Sequence, residues 1–374
     1  MRVIVTGGGT GGHIYPALAI ADKIKEMDPE SQILYVGNEE GIEKEIVPGT
    51  GYDFKMVTAR WLDKITPGEI IKTGMAVSKG ISQSKKIIKE FKPQVIIGTG
   101  GFVCFPMLLA GHKLKCRTYI HEQNAFPGLA NRALERYVDN IFLGFADGAE
   151  YFKEKDKLIV AGNPVRKTFF EITRKEARRK LGIPEEDFVI FSFGGSLGAK
   201  KINEIAFQLM ELFNGHKGVT MIIGTGKWMY DDAVNMLKEK DIVPGENIRL
   251  KGYIDNMDLH LLACDLVISR AGALSVAETT VCGKAAIFVP YPYATGNHQY
   301  YNAKSVADRG GAVIIDEDDL IMEDVIEKVL SLKNDAHKLE EMSQASRQCA
   351  PDHALDIIYD KINENYIKDG HKDK

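Results

Sequence analysis

Six stretches of the 374-residue sequence hold residues whose types and spacing suit a phosphorylated or glycosylated ligand. The first is Gly7-Gly8-Gly9-Thr10-Gly11-Gly12-His13, between the β-branched run Val3–Thr6 and an apolar segment (Pro16, Ala17, Leu18, Ile20, Ile24). That order reads as strand, tight loop and helix. Glycine lets the backbone turn sharply and a ligand approach without a Cβ in the way. The loop N–H groups and the helix N-terminus favour negative charge. Gly98-Thr99-Gly100-Gly101-Phe102-Val103 is a similar loop after Val95–Gly98, and Gly194-Gly195-Ser196-Leu197-Gly198-Ala199 another after Phe188–Phe193. His121-Glu122-Gln123-Asn124-Ala125-Phe126-Pro127-Gly128 puts four polar side chains directly after a buried-type strand, as a functional loop or a helix cap. Asn163-Pro164-Val165-Arg166 offers a guanidinium able to fork onto a pyrophosphate, or a surface salt bridge. In the block 269–302, Ser269-Arg270-Ala271-Gly272-Ala273-Leu274-Ser275 turns into a helix carrying Glu278, a carboxylate able to accept both hydroxyls of a ribose. Gly296-Asn297-His298-Gln299 then supplies amide and imidazole groups suited to sugar hydroxyls.

The elements that must position these residues alternate throughout. Strand-like runs fall at Val3–Thr6, Ile33–Val36, Val95–Gly98, Thr118–Ile120, Ile141–Leu143 and Leu158–Ala161. After Gly162-Asn163-Pro164 the series restarts with Phe188–Phe193, Thr220–Ile223, Ile248–Leu250, Leu266–Ser269, Ala286–Val289 and Val313–Ile315. Such alternation predicts α/β architecture, with parallel sheets and crossover helices. Two series, each with an early glycine loop, predict two Rossmann-like domains facing a central cleft, with ligands beyond the strands' carboxyl ends. The boundaries fall at 1–162 and 163–346, followed by 347–374, where Leu355, Ile358, Tyr359, Ile362 and Tyr366 form a helix packing back on the body before a frayed tail from Asp369.

Composition narrows the class. A hydrophobic fraction of 44% with 27% charged residues is that of a soluble globular protein, and a net charge of −4 excludes nucleic-acid binding by bulk electrostatics. Five scattered cysteines without C-x-x-C spacing predict buried thiols in a reducing compartment, without disulfides or zinc. No signal peptide is expected, and the uncharged run Val95–Gly111 is glycine-broken and short of the roughly 20 residues of a membrane span. Between Lys55 and Lys92, nine Lys/Arg face three Asp/Glu, interleaved with Trp61, Leu62, Ile65, Ile70, Ile71, Met75 and Ile81. That pattern suits an anionic membrane surface, or an ordinary solvated helix with its core stripe.

The first loop alone is ambiguous, because Gly7, Gly9 and Gly12 satisfy G-x-G-x-x-G and Glu39 and Glu40 stand where a dinucleotide's ribose would need an acid. The order of the pieces favours another ligand. A second glycine loop, an arginine, a ribose-type glutamate and a sugar-type glutamine all fall in or beside the C-terminal half, which points to a nucleotide-sugar donor there and an acceptor at Gly7–His13.

Taken together, Gly7–His13, His121–Gly128, Gly162–Arg166, Gly194–Ala199, Ser269–Glu278 and His298–Ala303 resemble, in order and spacing over nearly the whole chain, the motifs of the MurG family of bacterial glycosyltransferases. The resemblance implies a GT-B fold and inverting transfer of N-acetylglucosamine from UDP-N-acetylglucosamine to the 4-hydroxyl of the muramyl pentapeptide on undecaprenyl pyrophosphate. Lipid I would thus become lipid II in peptidoglycan synthesis. It implies donor contacts at Thr10, Gly11, Gly12, Asn124, Arg166, Ser196, Glu278 (ribose), Gln299 and Ile254, the last through its backbone to uracil. Gly194, Gly195, Gly198, Ala199, Ala273 and Leu274 would line the pyrophosphate, and Gly100, Gly101, His121 and Glu122 the acceptor side. Some members carry Gln-Gln where this chain has His298-Gln299, so no role is carried over to His298.

The chemistry agrees with this reading. The departing UDP gains negative charge that the 194–199 amides, the helix dipole behind them and Arg166 can stabilise, so no cofactor or metal is required. An inverting displacement also needs a base, and His13 at a helix start is the candidate, with capping or acceptor orientation as its alternative role. Expected partners are UDP-N-acetylglucosamine, lipid I, the anionic cytoplasmic face of the bacterial membrane and unidentified cell-wall synthesis proteins; nucleic acid is not among them. Competing readings are a GT-B diacylglycerol glycosyltransferase, a dinucleotide oxidoreductase and a non-catalytic nucleotide-sugar-binding protein.

Overall fold

The computed structural model describes residues 1–60, 66–195, 197–351 and 353–370. It divides into two compact units, one formed by Met1–Pro164 with Asp352–Lys374 and the other by Val165–Pro351.

The first unit is built on seven parallel strands, β1 (Arg2–Thr6), β2 (Gln32–Asn38), β3 (Asp53–Val57), β4 (Val95–Gly98), β5 (Arg117–Glu122), β6 (Asn140–Leu143) and β7 (Leu158–Val160). Their order across the sheet is β3-β2-β1-β4-β5-β6-β7. The central strands are almost wholly apolar because helices cover both faces. Alternation along β1 sends Val3 and Val5 into one core, with Ile14, Ile97 and Phe142, and Ile4 into the other, with Leu34, Ile96 and Met107. The strand β3 had no counterpart in the sequence reading. It is an edge strand paired only with β2, and only Val57 of its five residues is buried, so it lacks an apolar run.

The second unit repeats the plan with β8 (Phe188–Phe193), β9 (Val219–Gly224), β10 (Ile248–Lys251), β11 (Leu266–Ser269), β12 (Ala285–Phe288) and β13 (Ala312–Ile314), ordered β10-β9-β8-β11-β12-β13. Its main core packs Ile190, Met221, Ile268 and Ile287 against Ile202, Leu209 and Met210 of the helix Lys200–Phe213 and Val325 and Val329 of the helix Met322–Asn334. Each sheet reverses strand order once, between β1 and β4 in the first unit and between β8 and β11 in the second. In open parallel sheets the loops leaving such a point form the ligand crevice.

The helix Ala354–Lys368 belongs to the first unit: Ile358, Tyr359 and Ile362 enter the core beside β1, and Asn365 Nδ2 donates to Tyr119 Oη at 3.0 Å. Asp369 is not frayed as expected. It accepts from Arg117 Nε at 2.7 Å and from a terminal nitrogen of the same guanidinium at 2.5 Å, while residues 371–374 lie outside the described residues. In the basic stretch, Trp61, Leu62 and Ile65 likewise lie outside them. The helix Pro67–Phe91 exposes Ile70, Ile71 (62%) and Met75 (68%), so these residues are not a core stripe. All five cysteines are free, and among the described residues no helix is long and apolar enough to cross a membrane.

Candidate functional site

In the first unit the loops after β1 and β4 interlock through missing side chains. A Cβ on Gly7 would lie 2.2 Å from Thr99 Oγ1, one on Gly101 2.3 Å from the Gly8 carbonyl, and one on Gly100 (φ +112°) 2.5 Å from His13 Nδ1. The peptide of Gly8 donates to the Gly100 carbonyl at 3.3 Å, and Thr99 Oγ1 donates to the His13 carbonyl at 2.6 Å. Gly100 and Gly101 are therefore packing surfaces for the first loop. Thr10 precedes the helix Gly11–Met27 in extended conformation and its side chain caps nothing, so the helix start stays open beside Gly11 and Gly12. His13 Nδ1 lies 3.0 Å from the Thr99 carbonyl and 3.2 Å from Gln123 Oε1.

The polar loop after β5 folds inward. His121, fully buried, has Nε2 2.9 Å from the Gly162 carbonyl and Nδ1 2.9 Å from Gln123 Nε2, and desolvation pushes its imidazole down to about 4. Glu122, also buried, accepts from the Asn124 and Gly128 peptides at 2.9 and 3.0 Å and from the side chains of Asn124 and Asn131 at 3.2 and 2.8 Å. With both carboxylate oxygens spent on its own loop, Glu122 shapes the 122–131 turn. His121 and Glu122, assigned to the acceptor side by the resemblance, are thus both buried within the first unit with their polar atoms engaged by its own residues.

In the second unit the loops after β8 and β11 flank the reversal point. Gly195 (φ +91°) and Gly198 (φ +86°) turn the first loop, and a Cβ on Gly198 would lie 2.1 Å from the Thr225 carbonyl. Ala199 and Gly272 precede the helices Lys200–Phe213 and Ala273–Val281 without side-chain caps, so the positive end of each helix dipole is left for a ligand at Ala199 and at Ala273 and Leu274, while the Gly198 peptide donates to the Gly195 carbonyl at 3.0 Å. Ser196 lies outside the described residues. Ile254 follows β10 with its side chain buried against Gly224, so its backbone is what it can offer a ligand.

Glu278 is half-buried, and desolvation pushes its carboxyl up to about 7, with the Arg166 charge pulling down and Asp258 pushing up. Arg166 itself is exposed. Gln299 accepts from the Ala271 and Tyr291 peptides at 3.2 and 3.0 Å. Its oxygen thus ties the loops after β11 and β12, and its Nε2 can address a ligand only as a donor. His298 begins the helix His298–Ala307. Arg270 is bound to the Val289 and Pro290 carbonyls at 3.0 and 3.1 Å and ion-paired with Glu317, which makes it a structural residue of the same turn.

The predicted positions thus gather within their own units: Thr10, Gly11, Gly12, His13 and Asn124 in the first, and Arg166, the 194–199 loop, Ile254, Ala273, Leu274, Glu278 and Gln299 in the second. Sequence reasoning missed Glu43. It has no solvent exposure and accepts from the Asn38 and Gly9 peptides at 2.7 and 3.1 Å, closing the first glycine loop from behind. The available signal was its place between glycines: Cβ atoms on Gly8, Gly37 and Gly41 would all meet its side chain. Glu39, which the competing dinucleotide reading would need as a ribose acid, accepts from Thr58 Oγ1 at 3.1 Å and Gln83 Nε2 at 3.3 Å.

Residues 3–143 match the glycosyltransferase family 28 N-terminal domain and 189–357 its C-terminal domain. A relative from Alkaliphilus oremlandii is 42% identical over 362 residues, covering 97% of this chain and 98% of its own length. It is named a UDP-N-acetylglucosamine–N-acetylmuramyl-(pentapeptide) pyrophosphoryl-undecaprenol N-acetylglucosamine transferase, as is a relative from Desulforudis audaxviator that is 43% identical over 367 residues. The chain belongs to the MurG family. The crystal structure of Acinetobacter baumannii MurG superposes with a TM-score of 0.78 at 26% identity, covering 97% of this chain and 99% of that one. The MurG fold is thus two Rossmann-like α/β domains, the GT-B arrangement. A Neisseria meningitidis UDP-GlcNAc 2-epimerase shares the fold, at 16% identity and a TM-score of 0.67.

Proposed function

We infer that the chain is an inverting N-acetylglucosaminyltransferase that moves N-acetylglucosamine from UDP-N-acetylglucosamine to the 4-hydroxyl of the muramyl pentapeptide on undecaprenyl pyrophosphate, giving lipid II and UDP. The observation that carries this is the 42–43% identity, over 97% of the chain, to relatives named for that transfer. The first unit holds acceptor and base. His13 Nε2 takes the hydroxyl proton while that oxygen bonds to the anomeric carbon and the carbon's bond to the diphosphate oxygen breaks, the electron pair leaving with UDP.

The second unit holds the donor. Glu278 accepts the ribose hydroxyls, the Ile254 backbone reads uracil and Gln299 Nε2 donates to a sugar hydroxyl. The uncapped helix starts at Lys200 and Ala273, together with Arg166, meet the charge that develops on the diphosphate. Fixed dipoles and a guanidinium aimed at that charge make a divalent cation unnecessary, so EDTA leaves turnover unchanged. Thr10, Gly11, Gly12 and Asn124 complete the donor contacts. The exposed Ile70, Ile71 and Met75 beside Lys72 and Lys79 bring the protein to the anionic cytoplasmic face of the membrane, where the acceptor lies.

The test incubates purified protein with radiolabelled UDP-N-acetylglucosamine and a lipid I analogue, diacylglycerol or no acceptor. Label on the lipid I analogue in a β linkage supports the reading. Label on diacylglycerol keeps the donor site and overturns the acceptor, and binding without transfer overturns the enzyme. His13→Ala is expected to abolish transfer with little change in donor affinity.

A further inference from the structure

We propose that Gln123 and His121 are positioning residues that hold His13 in the tautomer able to act as base; the proposal rests on the reading of His13 as that base. A neutral imidazole takes up a proton only at the ring nitrogen that lacks one. Nδ1 of His13 faces the Thr99 carbonyl at 3.0 Å, and a carbonyl can only accept, so Nδ1 carries the hydrogen and Nε2 keeps the lone pair. Gln123 reinforces this only while its oxygen faces the ring, as it does at 3.2 Å. A carboxamide turned by 180° would aim an N–H at Nδ1, compete with Thr99 and draw the ring hydrogen to Nε2, where it would block proton uptake.

That turn is prevented from behind. Gln123 Nε2 donates to His121 Nδ1 at 2.9 Å and to the His121 carbonyl at 3.2 Å. His121 Nδ1 is an acceptor because its Nε2–H is committed to the Gly162 carbonyl at 2.9 Å. The direction of every hydrogen bond in the series His13 → Gln123 → His121 → Gly162 is thus set by backbone carbonyls at Thr99, His121 and Gly162, groups that cannot reverse roles. Gln123 is 1% exposed and His121 fully buried, so water does not offer either an alternative partner. The same burial keeps His121 neutral, which preserves Nδ1 as an acceptor. An amide in this place orients the base without setting a counter-charge beside it.

The test uses the full-length protein, steady-state kinetics with UDP-N-acetylglucosamine and a lipid I analogue, and ¹⁵N NMR of the histidine ring nitrogens. Gln123→Met removes all three of the side chain's hydrogen bonds at similar volume. It is expected to lower kcat several-fold, in step with the fraction of rings that shift to the Nε2–H form against the remaining Thr99 carbonyl, with KM for the donor within about twofold. The His13 ring signals should then show both tautomers. Gln123→Glu, which keeps an oxygen toward His13, should recover most of kcat. If His13→Ala abolishes turnover while Gln123→Met keeps wild-type kcat and a single tautomer, the proposal is overturned and the base stands. Equal loss in both Gln123 variants with the Nδ1–H tautomer intact reduces the pair to scaffolding and also overturns it. Turnover retained by His13→Ala removes the base itself, and the proposal with it.

Discussion

The ribose role proposed for Glu278 would make donor binding depend on pH near neutrality. In that role its ionised form accepts two ribose hydroxyls, and burial lifts its pKa to about 7. Between pH 8 and 6 the fraction ready to bind therefore falls, and affinity for UDP-N-acetylglucosamine falls with it. Calorimetric titrations across that range should show tighter binding at the alkaline end, with proton release on binding near pH 7. Glu278→Gln should bind weakly and without the slope. The sign for the free protein is opposite. The folded state holds this proton from the unfolded value near 4.3 up to about 7, so stability falls as pH rises through that window. The proposed donor residues could be picked from the sequence because their chemistry is local: a carboxylate, an amide, a guanidinium and two glycine loops. Glu43, Gln123 and Thr99 were not assigned roles because theirs exist only after β1, β2, β4 and β5 have brought distant loops into hydrogen-bonding distance.

Whole elements stand on a few buried polar anchors. The helix Arg174–Leu181 is fixed to the second unit by Arg178, 1% exposed, which pairs with Asp265 at 2.7 Å and donates to the Ala263, Pro184 and Asp187 carbonyls. Asp265 also accepts from the Val189 peptide at 2.8 Å, so the helix is tied to the start of β8. Arg178→Met leaves Asp265 paired with Arg174 at 2.7 Å but strips the Ala263, Pro184 and Asp187 carbonyls of their buried donor, and should cost about 1–3 kcal/mol in urea unfolding of the second unit. Gly100→Ala acts on a loop instead. Its Cβ collides with His13 and its φ of +112° suits glycine, so turnover should fall sharply while UDP affinity in a fluorescence titration stays unchanged. Among the described residues, twelve of the thirteen strands were legible because central parallel strands are continuous apolar runs. The thirteenth, β3, alternates Asp53 and Lys55 with Phe54 and Met56 at a sheet edge, a pattern equally at home in a loop.

Across the whole molecule, the chain leaves the first unit after Pro164 and re-enters it at the helix Ala354–Lys368. Ile362 of that helix has no solvent exposure and packs in the core beside β1. Ile362→Ala should therefore destabilise the first unit by about 2–4 kcal/mol, within the usual range for such cavities. Hydrogen exchange should rise in β1, β4 and β5 and stay unchanged in β8, β11 and β12. Anionic vesicles offer a separate check at this scale: replacing Ile70, Ile71 and Met75 together by serine should release the protein from phosphatidylglycerol vesicles without loss of UDP affinity.

The return of the chain to its first unit also sets a schedule for biogenesis. A ribosome completes β1 to β7, then the whole of Val165–Pro351, before it makes the helix that closes the first core. At ordinary elongation speeds that interval lasts roughly 10–40 s. The contiguous second unit can mature during that interval, while the nascent first unit waits with the groove for Ile358, Tyr359 and Ile362 open to the cytosol. The half of the enzyme made first is thus finished last.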